Sequence, residues 1–364
     1  MDLQFLRDLY KLDGPVASVH LDTSREDQDA DRRIDIEWRG LRRDLEQQGA
    51  DEATVAALEE RLVAAPHVVG PQGEALFAAS GRVVQAHVMA APPAANRARL
   101  LPVADPLELV IDRDHQVPYV VVAVDREGAD IDAFAVGEHD PVSQHSFNGG
   151  TLHISKVRAG GVSSGHFHRR TENLWDRNAR ESAQFVAEAM DSVGAELVLV
   201  GGDDKAAALL REHLDGLSRV ADIHTVSGGR ADAGAMKSLR ASVDQAVETA
   251  MRRSHKRVLE RFVDALSMQQ AVEGFPAVKE ALAAGRVEVL LLAADRGADP
   301  RLWASRAHST LLATDSAGLG AAEEPFEAPA ATLLLRAAAE SDAQFTELLP
   351  GTRADDGVGA ILRF

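Results

Sequence analysis

The spacing of apolar residues in the first hundred positions predicts a sheet packed against amphipathic helices. Apolar positions three or four residues apart predict the helices, and short apolar runs that end in turn residues predict the strands. Ser80-Gly81 supplies the turn between two of these strands. The predicted elements are strands over 16–21, 74–79 and 82–89, one helix built on Ile34, Trp38, Leu41 and Leu45, and a second built on Val55, Leu58 and Leu62.

The middle of the chain alternates between strand and helix patterns. A hairpin is expected around the turn 126–128, followed by a strand, a long helix, a buried strand that ends at Gly201-Gly202, and a second long helix. The predicted ranges are strands over 119–124, 131–136, 152–157 and 196–200, a helix carrying Phe167, Leu174, Phe185, Val186, Ala189 and Met190, and a helix over 235–270. Strand–helix–strand alternation predicts an α/β layer with at least one parallel pair.

The last ninety residues predict a compact α/β/α unit of ordinary small-domain size. The pattern gives helices over 277–284 and 328–339 and strands over 287–292, 345–348 and 358–364. Together the three regions predict an α/β protein of three domains, with boundaries at 1–110, 111–272 and 273–364. Its 364 residues suffice for a separate core in each.

Charge and composition limit the partners and the kinds of chemistry that the protein can have. The net charge is −18, yet residues 151–180 carry six Lys or Arg against two acidic residues, and a second basic island surrounds residue 255. An acidic body with two basic patches suits a protein that meets a polyanion at chosen points, although solvated helix faces would give the same pattern. The chain has no cysteine, which excludes thiolate chemistry. It also lacks a long apolar run and opens with acidic residues, so a cytoplasmic protein without membrane partners is expected.

The segment from Lys156 to Arg170 carries the strongest functional signal. Paired glycines allow the backbone to approach another molecule closely, and the serines that follow are suited to cap the next helix with its positive end outward. Basic and histidine side chains surround this turn and would meet phosphates. The candidate RNA-binding residues are Lys156, Arg158, Gly160, Gly161, Val162, Ser163, Ser164, His166, His168, Arg169 and Arg170, with Arg252, Arg253, Lys256 and Arg257 in the second patch.

These motifs resemble the archaeal and eukaryotic class I release factors and Pelota. The pattern Gly160-Gly161-x-Ser163 followed by Phe167, Arg169 and Glu172 is similar to their central domain, in which a Gly-Gly-Gln loop precedes a long helix. The closing run 357–364 resembles the last strand of their third domain. Residues 19–25 are similar to the bacterial branch of this superfamily, with its Balon-like hibernation factors and mycobacterial dormancy-linked relatives.

The resemblance implies a divergent α/β N-terminal domain, a central release-factor-like domain with a protruding Gly-Gly loop, and a Pelota-like C-terminal domain. It also implies a partner, the ribosome, bound at the A site with the loop near the peptidyl transferase centre. A translational GTPase such as elongation factor Tu is the partner implied for the third domain. No cofactor is expected.

One position departs from the release-factor pattern. Val162 stands where those proteins have the glutamine that positions a water molecule, and a valine side chain neither donates nor accepts hydrogen bonds. We therefore expect a factor that occupies inactive or stalled ribosomes, in hibernation or translation stress, without hydrolysing peptidyl-tRNA. The alternative is a peptidyl-tRNA hydrolase for ribosome rescue, with Gly160, Gly161, Ser163 and Ser164 as the loop candidates, since backbone N–H groups also stabilise oxyanions. A stress-related interaction protein that never meets the ribosome is a third possibility.

Two weaker signals are interpreted structurally. His166 and His168 lie two residues apart at the start of a helix, where their side chains diverge, so no metal site is expected there. Asp203-Asp204 follows a strand and is explained by capping of the next helix, and Gly228-Gly229-Arg230 is interpreted as a loop.

Overall fold

A computed structural model describes residues 1–26, 28–64, 70–138, 140–148, 164–216, 222–295, 299–320 and 324–364, with the backbone alone for 164–173. The helices are α1 (Arg7–Tyr10), α2 (Ala30–Gln47), α3 (Glu52–Val63), α4 (Leu107–Asp114), α5 (Ser164–Val193), α6 (Asp204–Asp215), α7 (Ala233–Ser267), α8 (Phe275–Ala283) and α9 (Ala330–Glu340). The strands are β1 (Val16–Asp22), β2 (Gly73–Ala79), β3 (Arg82–Met89), β4 (Arg97–Leu101), β5 (Tyr119–Val124), β6 (Gly128–Phe134), β7 (Ser143–Asn148), β8 (Leu197–Gly202), β9 (Asp222–Thr225), β10 (Ala271–Glu273), β11 (Val287–Leu292), β12 (Arg301–Ser305), β13 (Leu312–Ala313), β14 (Pro325–Pro329), β15 (Gln344–Glu347) and β16 (Val358–Leu362).

The contacts divide these elements into two compact units. Unit 1 joins residues 1–115 with residues 254–364, and unit 2 is formed by residues 116–253. The first and third domains expected from the sequence therefore fall within one unit. The division into three domains, with boundaries at 110 and 272, stays a prediction. The two units are defined by contacts between residues and do not identify evolutionary domains.

Unit 1 contains three sheets around a shared apolar core. Their strand orders are β3-β2-β1-β4, β10-β16-β11-β15 and β13-β12-β14. Helix α9 is buried from Ala330 to Ala339, and its apolar residues belong to the same cluster as Phe77 of β2 and Leu290 of β11. A helix that is buried on all sides needs partners on every side, and α9 packs against both the N-terminal and the C-terminal portions of unit 1.

Polar side chains secure the two places where unit 1 borders unit 2 along the chain. Asp114 precedes the first of these places, and His255 follows the second. His255 Nε2 lies 2.8 Å from Asp114 Oδ2, and both side chains are buried. His115 hydrogen-bonds to the Glu347 carboxylate, and this bond raises the pKa of His115 despite the opposing effect of burial. Both chain segments that adjoin unit 2, at residues 114–115 and at residue 255, are thus held within unit 1 by polar side-chain contacts.

Unit 2 is a five-stranded sheet of order β7-β6-β5-β8-β9. β5, β8 and β9 run parallel, whereas β6 and β7 add antiparallel strands on one side. The apolar residues of β5 and β8 pack on one face against α5 and α6. On the other face they pack against the first half of α7. The α/β class with parallel pairs, predicted from the sequence, is confirmed. The strand predicted over 152–157 lies outside the described residues.

Candidate nucleic-acid interface

Three loops of unit 2 leave the sheet at the carboxyl ends of its parallel strands. This edge carries Asp125 after β5, Asp203 after β8 and Arg230 in the loop after β9. β7 also ends here, because Asn148 pairs with Gly128 in the ladder between β6 and β7. In open α/β sheets, ligands bind outside the carboxyl ends of the strands, so this edge is the natural candidate site.

Two glycine pairs shape this edge. Gly202 has a φ of +129°, and a Cβ added there would lie 1.8 Å from the Val124 carbonyl oxygen. A Cβ on Gly229 would lie 2.8 Å from the Gly202 Cα, and one on Gly228 would lie 2.3 Å from the Leu239 nitrogen. Only glycines permit such close approach of three backbone segments. Because the loop 228–230 is held this tightly, Arg230 has a defined position at the edge.

Asp203 is a helix cap rather than an exposed acid. Its Oδ1 accepts hydrogen bonds from the backbone N–H groups of Lys205 and Ala206 at 3.1 and 3.2 Å, and its Oδ2 lies 3.1 Å from Arg126 Nη2. Burial would raise the pKa of Asp203, but these N–H groups and the guanidinium outweigh it and lower the pKa. The capping expected of this acidic pair is confirmed for Asp203, and Asp204 lies in the first turn of α6.

Helix α5 is attached to the same edge through Arg126. The Arg126 guanidinium carbon lies 4.8 Å from the centre of the Trp175 ring, and Asn178 Nδ2 donates to the Arg126 carbonyl at 3.2 Å. Below this pair, a cavity of about 10 Å³ is lined by Ser182, whose hydroxyl is buried without a partner among the described residues. The cavity is large enough for a single water molecule, so it is not a ligand pocket.

Most of the predicted RNA-binding residues cannot be placed at this edge. Lys156, Arg158, Gly160, Gly161, Val162 and Ser163 lie outside the described residues. Ser164, His166, His168, Arg169 and Arg170 form the first two turns of α5, where the backbone alone is described. Their role in binding stays a prediction, and so does the capping of α5 by its serines.

The second predicted patch is on α7 and is fully described. Arg252, Arg253, Lys256 and Arg257 are all exposed. Arg252 pairs with Glu248 and Lys256 pairs with Glu260, each one turn away. Within the described part of the chain, Arg253 and Arg257 form no ion pair. Two of the four charges are therefore available to a partner, and the other two are partly neutralised.

The described residues contain no group of three His, Asp or Glu side chains that could hold a metal ion.

Sequence reasoning missed Arg126, Trp175 and the bridging role of Arg230. The glycine pairs at 201–202 and 228–229, each close to the end of a strand, were the available signal for Arg230. No pattern in the sequence marks the stacking of Arg126 on Trp175.

A model of the bacterial archaeo-eukaryotic release factor family 2 matches residues 118–267. This central region is similar to that family. The release-factor-like region, as we call residues 118–267, includes most of unit 2 and all of α7. The predicted resemblance to release factors is thereby confirmed.

Similar proteins extend the comparison beyond this region. The uncharacterized protein Rv2629 of Mycobacterium tuberculosis (strain ATCC 25618 / H37Rv) is 32% identical over 237 residues, which are 64% of this chain and 60% of that protein. The uncharacterized protein MT2704 of strain CDC 1551 / Oshkosh matches with the same identity and coverage. The match thus spans about 60% of the length of these curated relatives.

Solved structures that match the chain include archaeal and yeast translation factors. The archaeal Pelota in a model of ribosome-bound Pelota and ABCE1 is 14% identical, with a TM-score of 0.41 over 100% of this chain and 94% of that chain. S. cerevisiae Dom34, described as a translation termination-like factor interacting with Hbs1, is 10% identical, with a TM-score of 0.40 over 80% and 79%. None of the described helices is both long and apolar enough to cross a membrane.

Proposed function

We propose that this protein is a ribosome-associated translation factor that occupies the A site of inactive or stalled ribosomes without hydrolysing peptidyl-tRNA. The observation that carries the proposal is the release-factor-like region, in which Gly160-Gly161 is followed by Val162. The family match supports the ribosome as partner. The valine removes the side-chain amide that would orient a water molecule at the ester.

Charge supports RNA as the contacted component. The segment from Lys156 to Arg170 is basic within a chain of net charge −18. On α7, Arg253 and Arg257 are exposed and have no acidic partner among the described residues. Cations that are not already neutralised release the most counterions when they meet phosphates, so these two arginines are expected to contribute more than the paired Arg252 and Lys256 of the same patch.

Co-sedimentation with ribosomes over a range of salt concentrations tests this proposal. Arg253→Glu and the pair Arg169→Glu/Arg170→Glu should each release the protein at lower salt and reduce the slope of log affinity against log salt by about one per lost phosphate contact. Arg240→Glu is the matched control, because Arg240 is also exposed, unpaired among the described residues, and on α7. If Arg253→Glu and the pair Arg169→Glu/Arg170→Glu both sediment like the wild type, the RNA contacts are misassigned. If the wild type fails to bind at any salt, the proposal itself is wrong.

Peptide release from stalled ribosomal complexes tests the absence of catalysis. The wild type should release no peptide, and Val162→Gln should restore some release if the loop lies at the ester. Release by the wild type that Gly161→Ala abolishes would instead establish a hydrolase that works through backbone N–H groups. The same binding assay, run with and without a translational GTPase such as elongation factor Tu, tests the partner expected for residues 273–364.

A further inference from the structure

Arg230 connects three parts of the sheet edge. Its Nη2 donates to Asn148 Oδ1 at 2.9 Å, and its Nε lies 3.3 Å from Asp125 Oδ2 and 3.4 Å from Asp130 Oδ2. One guanidinium thus joins the loop after β9 to the start of β6 and to the end of β7. The Arg230 side chain is only 18% exposed, so solvent screens these contacts weakly.

The Asp125 carboxylate is itself fixed in place. Its Oδ1 accepts hydrogen bonds from the backbone N–H groups of Glu127 and Gly128 at 2.7 and 2.8 Å, which closes the turn between β5 and β6. A Cβ on Gly128 would lie 1.8 Å from the Phe147 carbonyl oxygen, so β7 runs close against this turn. Asp125 therefore offers its second oxygen to Arg230 from a rigid support.

The Asp130 carboxylate holds β7 from the other side. Its Oδ1 accepts a hydrogen bond from Ser146 Oγ at 2.8 Å, while its Oδ2 faces Arg230. Among the described residues, β7 is the outermost strand of the sheet, and its backbone ladder there is with β6 alone. An edge strand with one ladder frays more easily than a central strand, so side-chain ties at its end contribute more to its order.

The chemistry of these contacts requires arginine. The Nε and Nη2 atoms of one planar guanidinium contact Asn148, Asp125 and Asp130 in different directions. A lysine ammonium, by contrast, is a single point charge. The Nη1 atom is a buried donor with no hydrogen-bond partner among the described residues. Lysine at this position would keep the charge near Asp125 and Asp130 but would lose the directed bond to Asn148.

We infer that Arg230 is a positioning residue that fixes the end of β7, the described strand that precedes Gly160 and Gly161 along the chain. Its effect on ribosome binding rests on the proposed function, whereas its effect on β7 does not. Arg230 lies outside the predicted RNA-binding set, and its role requires no contact with RNA.

Hydrogen–deuterium exchange of the full chain tests the effect on β7. Arg230→Met should accelerate exchange of the hydrogen-bonded amides of 143–148 about tenfold or more, because a charge-assisted network at the strand end is lost. Arg230→Lys should give a smaller acceleration. Arg211→Met is the control in the same unit, since Arg211 donates one hydrogen bond to Thr225 Oγ1 and does not contact β7. Unchanged exchange in Arg230→Met, or equal acceleration in Arg211→Met, would overturn the inference.

A double-mutant cycle in the ribosome-binding assay tests the positioning role. Asn148→Ala should weaken binding severalfold in the wild-type background and cause no further loss together with Arg230→Met, because both changes break the same tie. Additive losses would overturn the positioning role even if β7 frays, since a purely structural effect does not require coupling through Asn148. If the wild type does not bind ribosomes, the proposed function fails, and exchange in β7 still decides the inference.

Discussion

His20 provides a test of unit 1 through the pH dependence of stability. The side chain lies in β1, is 3% exposed, and meets Phe77 edge-on with ring centres 5.9 Å apart. Its Nε2 atom is buried without a hydrogen-bond partner among the described residues. Burial disfavours the charged imidazolium, and Arg97 and Arg99 add to this effect against the opposing charge of Asp105. The pKa of His20 is lowered from 6.5 to about 4.

The sign and size of the effect follow from proton linkage. Between pH 7.5 and 5.5 the unfolded chain protonates this histidine while the folded chain does not, so stability falls as the pH falls. With pKa values of 6.5 unfolded and about 4 folded, the free energy of unfolding falls by about 1.3 kcal/mol over this interval. Below pH 4 the loss approaches its limit of about 3 kcal/mol.

Urea unfolding at pH 7.5 and 5.5 measures this loss. A Trp175→Phe background leaves Trp38 and Trp303, both in unit 1, as the fluorescent reporters. His20→Leu should lose about 1.3 kcal/mol less than its parent between the two pH values. His308→Leu, at an exposed position of the same unit, should follow the parent. An equal loss in the parent and in His20→Leu would refute the reasoning.

Further predictions concern packing and a charged pair in unit 1. Gly359→Ala should lower the thermal midpoint by the equivalent of about 1–3 kcal/mol, because its Cβ would lie 2.5 Å from the buried Phe262 ring. Gly40→Ala, in α2 with open space around it, should raise the midpoint, and a fall there would contradict the steric argument. Glu347 raises the pKa of His115, so their stabilisation is present below pH 6.5 and is lost as the pH rises through the folded pKa. Glu347→Gln should therefore cost more stability at pH 6 than at pH 8.5 in urea unfolding, and an equal cost would exclude the pair as its source.

The elements that were predictable are those with an uninterrupted pattern. Strand β1, helix α2 and strand β11 follow directly from their apolar spacing, and the buried positions Trp38, Leu41 and Leu45 are those that the pattern indicates. The short strands β4, β10, β12, β13 and β14 were not predicted, since two to five residues carry too little periodicity. β7 was missed because its six residues are mostly polar and lie on the sheet edge.

The assembly of unit 1 lay beyond local patterns for a different reason. The burial of α9 from Ala330 to Ala339 is readable as an apolar run, but the run does not say which partners cover it. Those partners include β2 and α4, more than two hundred residues earlier. At the candidate site, the cap at Asp203 was predictable from residue type. The bridge from Arg230 to Asn148 joins positions 82 apart and depends on the three-dimensional placement of two loops.

The discontinuous chain path of unit 1 affects how the protein is made. During synthesis, residues 1–115 emerge first, yet their core is completed by α8, β11 and α9. Residues 116–253 are a contiguous stretch that can collapse as soon as it leaves the exit tunnel. The nascent residues 1–115 therefore expose apolar surface while roughly two hundred more residues are synthesised. We expect the nascent chain to need chaperones most during this interval. A frameshift or early stop near the 3′ end of the message would accordingly damage the earliest-made part of the protein while sparing the middle.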